Sequence, residues 1–235
     1  MKYAIVLVLL ILTACTQITQ EPVSVPEYNP KINPAHFSAD ITNKYLTLNP
    51  GTTFIYEAAV EDGNERIEIY VTNETKTVAG VTTRVVWDRV WLNGELIEDT
   101  KDWYAQDREG NVWYFGEDTH ELVDGKIINT AGAWETGVDG ARPGIAMLAN
   151  PQVGDSYRME YHAGFAEDKA DVLALGVSVT VNDKTYADCL QTYDYTPLNP
   201  SSQEHKYYCP ESGTVVLEVN LKDGERAELI EIKPS

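Results

Sequence analysis

The sequence predicts an all-β fold: a single strongly curved antiparallel sheet or half-open barrel, built mostly as a meander and carrying a long covering loop. Three observations lead to this prediction. Apolar and polar residues alternate through most of residues 50–235, short turn signals separate these segments, and only residues 165–175 have a helical pattern. Short alternating segments joined by closely spaced turns are typical of antiparallel sheets that close or nearly close on themselves. We therefore expect one β-rich domain over residues 50–235.

The strands are marked by the turns between them. Residues 54–56 and 67–71 flank the turn residues 61–64, and the segment 83–92 ends at Asn93-Gly94. An Asn-Gly pair between alternating segments is the strongest short signal for a hairpin. Further turn signals follow at 107–110, 124–125, 182–184 and 222–224. Each of these turns predicts a hairpin between neighbouring strands.

Residues 131–155 interrupt this pattern. They contain seven glycines and prolines and little alternation, but also apolar residues such as Trp134. Loops of this length inside a compact domain are usually functional or disordered. Because the apolar residues favour order, we expect a loop that covers the aromatic side of the sheet and gates access to it.

The charge of the chain restricts its partners. The 235 residues carry a formal net charge of −19, and 43% of them are hydrophobic. That apolar content is enough for a core and argues against disorder of the whole chain. A strongly acidic protein repels phosphates, so we expect no nucleic-acid partner.

The N-terminus has the pattern of an exported lipoprotein. Lys2 precedes an apolar run, 4–12, that is too short to cross a membrane as a helix but fits a signal peptide. Leu12-Thr13-Ala14-Cys15 then matches the bacterial lipobox. We therefore predict a signal peptide over 1–14 and lipidation of Cys15. The protein would be anchored to the cell membrane or outer membrane, on the extracytoplasmic face.

Residues 15–49 are rich in proline and predict an extended tether, whose end at 36–48 can dock on the domain as a short helix. Cys189 and Cys209 then remain as an even pair in an exported chain. A hairpin folded about Asn199 places the two cysteines directly opposite each other, which favours a disulfide over two buried thiols. The pattern argues against metal ligation by the two cysteines, because they form no CxxC motif and no histidine lies near them at the spacing of a metal site.

Several motifs resemble known β-rich proteins. They are Asp102–Asp107 (DWYAQD), Gly110–Glu117 (GNVWYFGE), Gly137–Ala141 (GVDGA), Pro143–Ile145 (PGI) and Glu204–Tyr208 (EHKYY). Together they resemble an uncharacterised family of secreted prokaryotic β-rich proteins. The order of strands also resembles envelope lipoproteins of the lipoprotein-carrier type, which have curved antiparallel half-barrels. Neither resemblance implies catalytic residues.

An aromatic cluster is the main candidate for ligand binding. All five tryptophans lie within residues 87–134, where tyrosines accompany them. Such a cluster on a curved sheet can stack on sugars or line an apolar cavity, or it can simply be the core and rim of the sheet. The candidate ligand-binding residues are Trp87, Trp91, Trp103, Tyr104, Trp113, Tyr114 and Trp134.

An acidic turn in the same region is a candidate Ca²⁺ site. Asp107, Glu109 and Asn111 supply the oxygen ligands that Ca²⁺ prefers. The spacing of an EF-hand is absent, and a solvated hairpin end explains the same residues. Apart from Ca²⁺ at this turn, the sequence indicates no cofactor.

No catalytic residues are predicted. The four histidines are isolated, and no HExxH, GxSxG or P-loop pattern occurs in the sequence. The leading hypothesis is a non-enzymatic binding module that holds an apolar or amphipathic ligand of the cell envelope, or a protein partner. The alternatives are a Ca²⁺- or carbohydrate-binding surface protein and a carboxylate-based hydrolase, whose geometry only the fold can supply.

Overall fold

A computed structural model describes residues 28–235 of the chain. The predicted signal peptide, the predicted lipidation site at Cys15 and the first part of the predicted tether lie outside the described residues. No helix within residues 28–235 is long and apolar enough to cross a membrane.

The chain forms one antiparallel sheet that curls into a nearly closed barrel, as predicted. The short strands are β1 (Phe37–Ser38), β2 (Ile41–Thr42), β3 (Thr47–Leu48), β9 (Lys126–Asn129), β10 (Trp134–Glu135), β12 (Ser156–Arg158) and β13 (Glu160–Tyr161), and Pro34–His36 is one turn of 3-10 helix. The remaining strands of the wall are β4 (Thr53–Val60), β5 (Gly63–Val78), β6 (Val81–Leu92), β7 (Glu95–Asp107), β8 (Val112–Val123), β11 (Arg142–Met147), β14 (Lys169–Val181), β15 (Lys184–Thr196), β16 (Asn199–Cys209), β17 (Thr214–Asn220) and β18 (Arg226–Lys233).

Two meanders make the wall. Strands β4 to β8 pair in sequence order, as do β14 to β18, and β18 pairs with β4 to join the two halves. Six predicted turns all join paired neighbouring strands, at 61–64, 93–94, 107–110, 124–125, 182–184 and 222–224. The turns between β5 and β6 and between β16 and β17 were not predicted. At the β6–β7 turn, Asn93 and Gly94 have φ of 51° and 85°, which is the backbone that this type of two-residue turn requires. Residues 165–175 form no helix, since β14 begins at Lys169.

A seam remains where the two edges of the sheet meet. Strand β12 pairs with β14 on one edge, strand β13 pairs with β11 on the other, and only Met159 separates them. At this seam, the Tyr28 hydroxyl donates a hydrogen bond to the carbonyl oxygen of Pro143 at 2.9 Å, and its ring contacts Tyr161. Short pairings and one side chain therefore hold the barrel together here, in place of a long ladder.

Residues 131–155 are not a continuous covering loop. Strands β10 and β11 both pair with β8, so Arg142–Met147 is part of the wall. Two glycines explain why. A Cβ atom at Gly116 would meet the carbonyl oxygen of Trp134, and one at Gly144 would meet that of Met159. Gly144, one of the glycines that suggested a permissive loop, instead lets two backbones approach closely.

The N-terminal segment packs on the domain earlier than expected. The predicted tether, 15–49, was to end in an extended stretch or a short helix. Instead strands β2 and β3 form a hairpin, 41–48, that closes one end of the barrel, and Ile41 is 1% exposed. The Asn43 side-chain amide donates hydrogen bonds to the carbonyls of Gly110 and Leu148, both at 3.0 Å. Buried apolar residues thus outweigh the proline content, and Ile41, Tyr45 and Leu48 belong to the core of the barrel.

The apolar core fills the closed end of the barrel. Inward-facing residues of several strands meet the hairpin 41–48 there, among them Phe54, Tyr56, Val71, Tyr208 and Val216. Burial of this surface stabilises the fold at roughly 25 cal/mol per Å² of apolar area.

The predicted disulfide joins two strands at the same end. Cys189 and Cys209 are bonded, with their Cα atoms 4.2 Å apart. The register of β15 with β16 is also the predicted one, since Tyr193 pairs with His205 and Gln191 with Tyr207. The hairpin and the covalent bond are therefore as predicted, but the turn is not at Asn199. Thr196 pairs with Asn199, so the turn lies at 197–198, and a bulge between Tyr195 and Thr196 restores the predicted register.

Candidate functional site

The candidate aromatic residues do not form one face. Successive residues of a strand point to opposite sides of the sheet, so neighbours such as Trp103 and Tyr104 separate. Tyr104 and Tyr114 lie inside the barrel with their rings stacked at 4.7 Å. Trp134 is 5% exposed and packs edge-on against Tyr114, with ring centroids 5.4 Å apart. Three of the seven candidates therefore share the interior.

Two other candidates are packed outside the barrel, under the N-terminal segment. Trp103 belongs to a separate buried cluster with Val85 and Phe115, and Trp113 packs against that cluster. Phe37 of strand β1 contacts both Trp113 and Phe115 edge-on. These two tryptophans hold the N-terminal segment on the wall and are not available to a ligand stacked on the sheet.

Trp87 and Trp91 lie on the outer face of β6, on either side of Arg89. The guanidinium carbon of Arg89 is 4.2 Å from the ring centroid of Trp87 and 5.0 Å from that of Trp91. The indole N–H of Trp87 donates a hydrogen bond to Asp99 at 2.7 Å. The two tryptophans therefore already make cation–π contacts with Arg89, and Trp87 makes a hydrogen bond as well, so both have a structural role on the outer face.

The oxygens of the acidic turn are already engaged. The Asp107 carboxylate accepts hydrogen bonds from the backbone and side-chain amides of Asn111 and from the Trp113 indole, all at 2.8 Å. The Asn111 side-chain oxygen accepts one from the backbone of Ala149, and Glu109 is exposed. Between residues 28 and 235, no group of three or more His, Cys, Asp or Glu is placed to hold a metal ion. These residues form a hydrogen-bonded turn.

The interior contains two cavities instead. Their volumes are about 230 and 270 Å³, and both are lined by Tyr104, Ala146, Met159 and Lys206. The larger cavity reaches the apolar residues at the closed end of the barrel, and the smaller one lies beside the seam. Because the two cavities have these lining residues in common, they are adjacent, and a ligand in one cavity would lie next to the other cavity.

Acidic side chains line both cavities. Four carboxyl groups line the smaller cavity, those of Glu160, Asp168, Asp194 and Glu204. Three line the larger cavity, those of Asp88, Asp102 and Glu218. Among the described residues of both linings, Lys206 is the one cationic side chain. The interior therefore changes from apolar at the closed end to strongly acidic further along.

Lys206 is paired with three of these carboxylates. Its Nζ lies 3.2 Å from Glu218, 3.4 Å from Glu204 and 3.8 Å from Asp194. Burial alone would lower the pKa of Lys206, but the surrounding carboxylates outweigh it and raise the pKa well above its usual value. The ammonium group is therefore charged at neutral pH, and one positive charge faces several negative ones.

Other carboxyl groups of the interior titrate near neutral pH. Burial, reinforced by neighbouring acids, raises the pKa of Asp88 to about 7. Burial also raises the pKa of Glu117, the cross-strand partner of Asp102, to about 7. Asp102 accepts a hydrogen bond from the Tyr114 hydroxyl at 2.6 Å, yet burial keeps its pKa well above its usual value. The charge of the cavity wall thus depends on pH in the physiological range.

Asp194 is the most exceptional of these groups. It is 7% exposed, and neither carboxylate oxygen accepts a hydrogen bond within 3.5 Å from any residue in the described part of the chain. Burial raises the pKa of Asp194, and Lys206 and the nearby Thr192 hydroxyl offset this only in part. The nearest cation, Lys206, stands at the long distance of 3.8 Å. A buried polar group without a partner costs about 1–3 kcal/mol, and more when it is charged. Asp194 therefore presents an unsatisfied acceptor to the smaller cavity.

Sequence reasoning missed this interior site. The sequence did contain an indication of it. In Val86-Trp87-Asp88 and in Lys206-Tyr207-Tyr208, a charged residue occupies a strand position that faces inward together with an apolar or aromatic residue two positions away. With 37 acidic residues in the chain, these positions did not stand out. Only the register of the strands shows that they face one space.

Comparisons with known proteins give little further information. No protein-family model matches the chain, and no curated protein is similar to it in sequence. Among solved structures, it is similar to a protein from Parabacteroides distasonis that is provisionally described as a lipoprotein, with a TM-score of 0.43 and 10% sequence identity. The match covers 80% of this chain and 98% of that one. The resemblance to a family of secreted β-rich proteins therefore stays a prediction.

Proposed function

We propose that this protein is a non-enzymatic binding module whose barrel interior holds a small amphipathic ligand. The division of the interior into an apolar end and an acidic end supports this proposal most directly. A ligand with an apolar part and a polar end would match both surfaces. This refines the sequence hypothesis, which placed the ligand on a single aromatic face.

The apolar part of the site is preformed. Phe54, Ile67, Ile69 and Val86 line the larger cavity beside Tyr104. Ligand sites are usually concave, mostly apolar and fitted with a few polar groups that orient the ligand. Ligand cavities usually measure about 300–1,000 Å³. This cavity of about 270 Å³ lies just below that range, which favours a single short chain or ring over a complete lipid.

The predicted lipid anchor fits such a role. A lipidated Cys15 would hold the domain at the extracytoplasmic face of a membrane, where small amphipathic molecules partition. The hairpin 41–48 continues from the tether and closes one end of the barrel. The Ca²⁺ alternative is not carried forward, because the oxygens of Asp107 and Asn111 already accept hydrogen bonds.

The experiment measures binding of three eight-carbon probes, 1-octanol, n-octylamine and octanoate, to residues 16–235 by titration calorimetry. We expect saturable binding of at least one probe. Ala146 lines both cavities and is buried, so Ala146→Leu should weaken that binding. The exposed Ala187 provides the matched control, because Ala187→Leu adds the same volume at a residue that lines neither cavity. Absence of saturable binding for all three probes contradicts the proposal.

A further inference from the structure

Resting on the proposed function, we infer that the ligand is an organic cation, a small amphiphile with a protonated amine that the acidic wall around Asp194 holds. Its apolar part lies against the closed end of the barrel, and its ammonium group lies in the smaller cavity. The inference depends on charge balance, on the unsatisfied acceptor and on the shape of the space.

The walls of the two cavities carry many more acidic than basic groups. Seven carboxyl groups line the two cavities against the single ammonium of Lys206. Unpaired charge in a buried space is costly, so such a wall is neutralised either by protons or by a cation. Burial raises the pKa of five of these carboxyl groups, those of Asp88, Asp102, Glu160, Asp194 and Glu204. Protons therefore neutralise part of this wall. An amine ligand would replace those protons with its own positive charge, whereas an anionic ligand would add to the repulsion.

Asp194 supplies the specific contact. Its two oxygens face the smaller cavity without accepting a hydrogen bond from any described residue. An ammonium group donates three hydrogen bonds and accepts none, so it complements carboxylates that lack donors. Glu160, Asp168 and Glu204 line the same cavity and offer further acceptors.

The aromatic residues fit the same ligand. The ring of Tyr104 stacks on Tyr114, and both rings line the smaller cavity beside the acids. A cation over an aromatic face gains additional attraction when it is shielded from water. The acidic groups are spread around this wall, and no three of them in residues 28–235 are close enough for a metal ion. The arrangement therefore favours an extended organic cation over a small inorganic one.

The test compares the affinities of n-octylamine, 1-octanol and octanoate, which share the same chain length. We expect octylamine to bind about tenfold or more tightly than octanol, since a hydrogen bond to a charged group contributes at least that much. Asp194→Asn should remove most of this preference and leave octanol binding unchanged. Asp188→Asn is the matched control, because Asp188 lies on the same strand but is exposed.

The outcomes separate the two proposals. Equal affinity for all three probes, or a preference for octanoate, overturns the inference but leaves the proposed binding function intact. No binding of any probe overturns both. Where Asp194→Asn does not fold, as judged by circular dichroism, Asp168→Asn replaces it, because Asp168 lines the same smaller cavity and is only half-buried. An unchanged amine preference in whichever of the two variants folds contradicts the inference.

Discussion

The carboxylate of Asp194 lies 3.8 Å from Nζ of Lys206, inside a barrel whose other described cavity-lining charges are all negative. The two residues are diagonal neighbours on β15 and β16, because Lys206 pairs with Thr192 and Asp194 with Glu204. Lys206 thus stabilises three carboxylates without fully satisfying any of them. This relationship links the stability of the interior to the cation site that we infer beside Asp194.

The first prediction is that Lys206→Met strongly destabilises the fold at neutral pH. Removing one partner of a buried ion pair leaves uncompensated charge and costs about 3–5 kcal/mol. The free energy of unfolding in urea at pH 7 measures this loss. Lys184→Met is the control, because Lys184 pairs with Glu211 on the surface and exposed pairs contribute about 1 kcal/mol or less. Equal losses in both variants contradict the prediction.

The second prediction concerns pH. Burial raises the pKa of Asp88 from 3.8 to about 7, so the folded state binds a proton that the unfolded state releases above pH 4. The stability that this proton provides is complete below pH 4 and is lost as the pH rises through 7. Glu117 behaves in the same way, with its pKa also raised to about 7. We therefore expect the protein to be more stable at pH 5 than at pH 8.

The free energy of unfolding in urea, measured at several pH values between 5 and 8, gives the slope of stability against pH. The charged groups that act on Asp88 come from four other strands: Glu98, Lys206, Glu117 and Glu218. Asp88→Asn should flatten the dependence, because the amide cannot titrate. Asp118→Asn removes the same charge from the exposed outer face and should leave the slope unchanged. A slope that Asp88→Asn does not alter counts against the prediction.

The hairpins and the register of β15 with β16 could be predicted from sequence because local rules determine them. A pair such as Asn93-Gly94 adopts the required backbone wherever it occurs, and alternation then assigns the faces of each strand. A hairpin centred near Asn199 was enough to align Cys189 with Cys209. These features depend on residues that are close in the chain.

The candidate site could not be predicted, since it depends on which strands curve toward each other. Asp88, Asp194 and Lys206 come from both halves of the chain and meet only when β18 pairs with β4. The tryptophans gave a stronger signal, but alternation divided them between the two sides of the wall. The hairpin 41–48 could not be predicted for the same reason. The prolines around it indicated an extended tether, and its apolar residues are buried only by contacts with strands that are distant in the sequence.

The third prediction is that Trp134 acts mainly in packing. It is buried against Tyr114 and belongs to the main core, so Trp134→Ala should cost about 3–5 kcal/mol of unfolding free energy. Trp91→Ala on the outer face should cost clearly less, because its ring is half-buried beside Arg89. If Trp134→Ala alters octylamine affinity but not stability, Trp134 acts as a gate, as the sequence first suggested.

The fourth prediction is lipidation at Cys15. Metabolic labelling with a fatty-acid probe should mark the wild-type protein in the membrane fraction, because the lipobox cysteine would carry the lipid. Cys15→Ala should lose the label, whereas Cys189→Ala should retain it because that residue forms the disulfide. Persistent labelling of Cys15→Ala rules out this anchor.

The last prediction is that Asn43 fixes the hairpin 41–48 as the closure of the barrel. Its side-chain amide donates to two carbonyls of the wall, and its oxygen accepts a hydrogen bond from the backbone of Tyr45 at 2.9 Å. Asn43→Ala leaves these buried groups unpaired, which costs about 1–3 kcal/mol. Because every lost contact involves the hairpin, while Gln106 and Gly213 still bind its backbone, hydrogen exchange should accelerate at residues 41–48 before it does so in β4 to β8. Asn33→Ala, at an exposed 3-10 turn, should leave exchange in the hairpin unchanged. Uniform acceleration along the whole chain would instead mean that the hairpin opens only when the barrel unfolds.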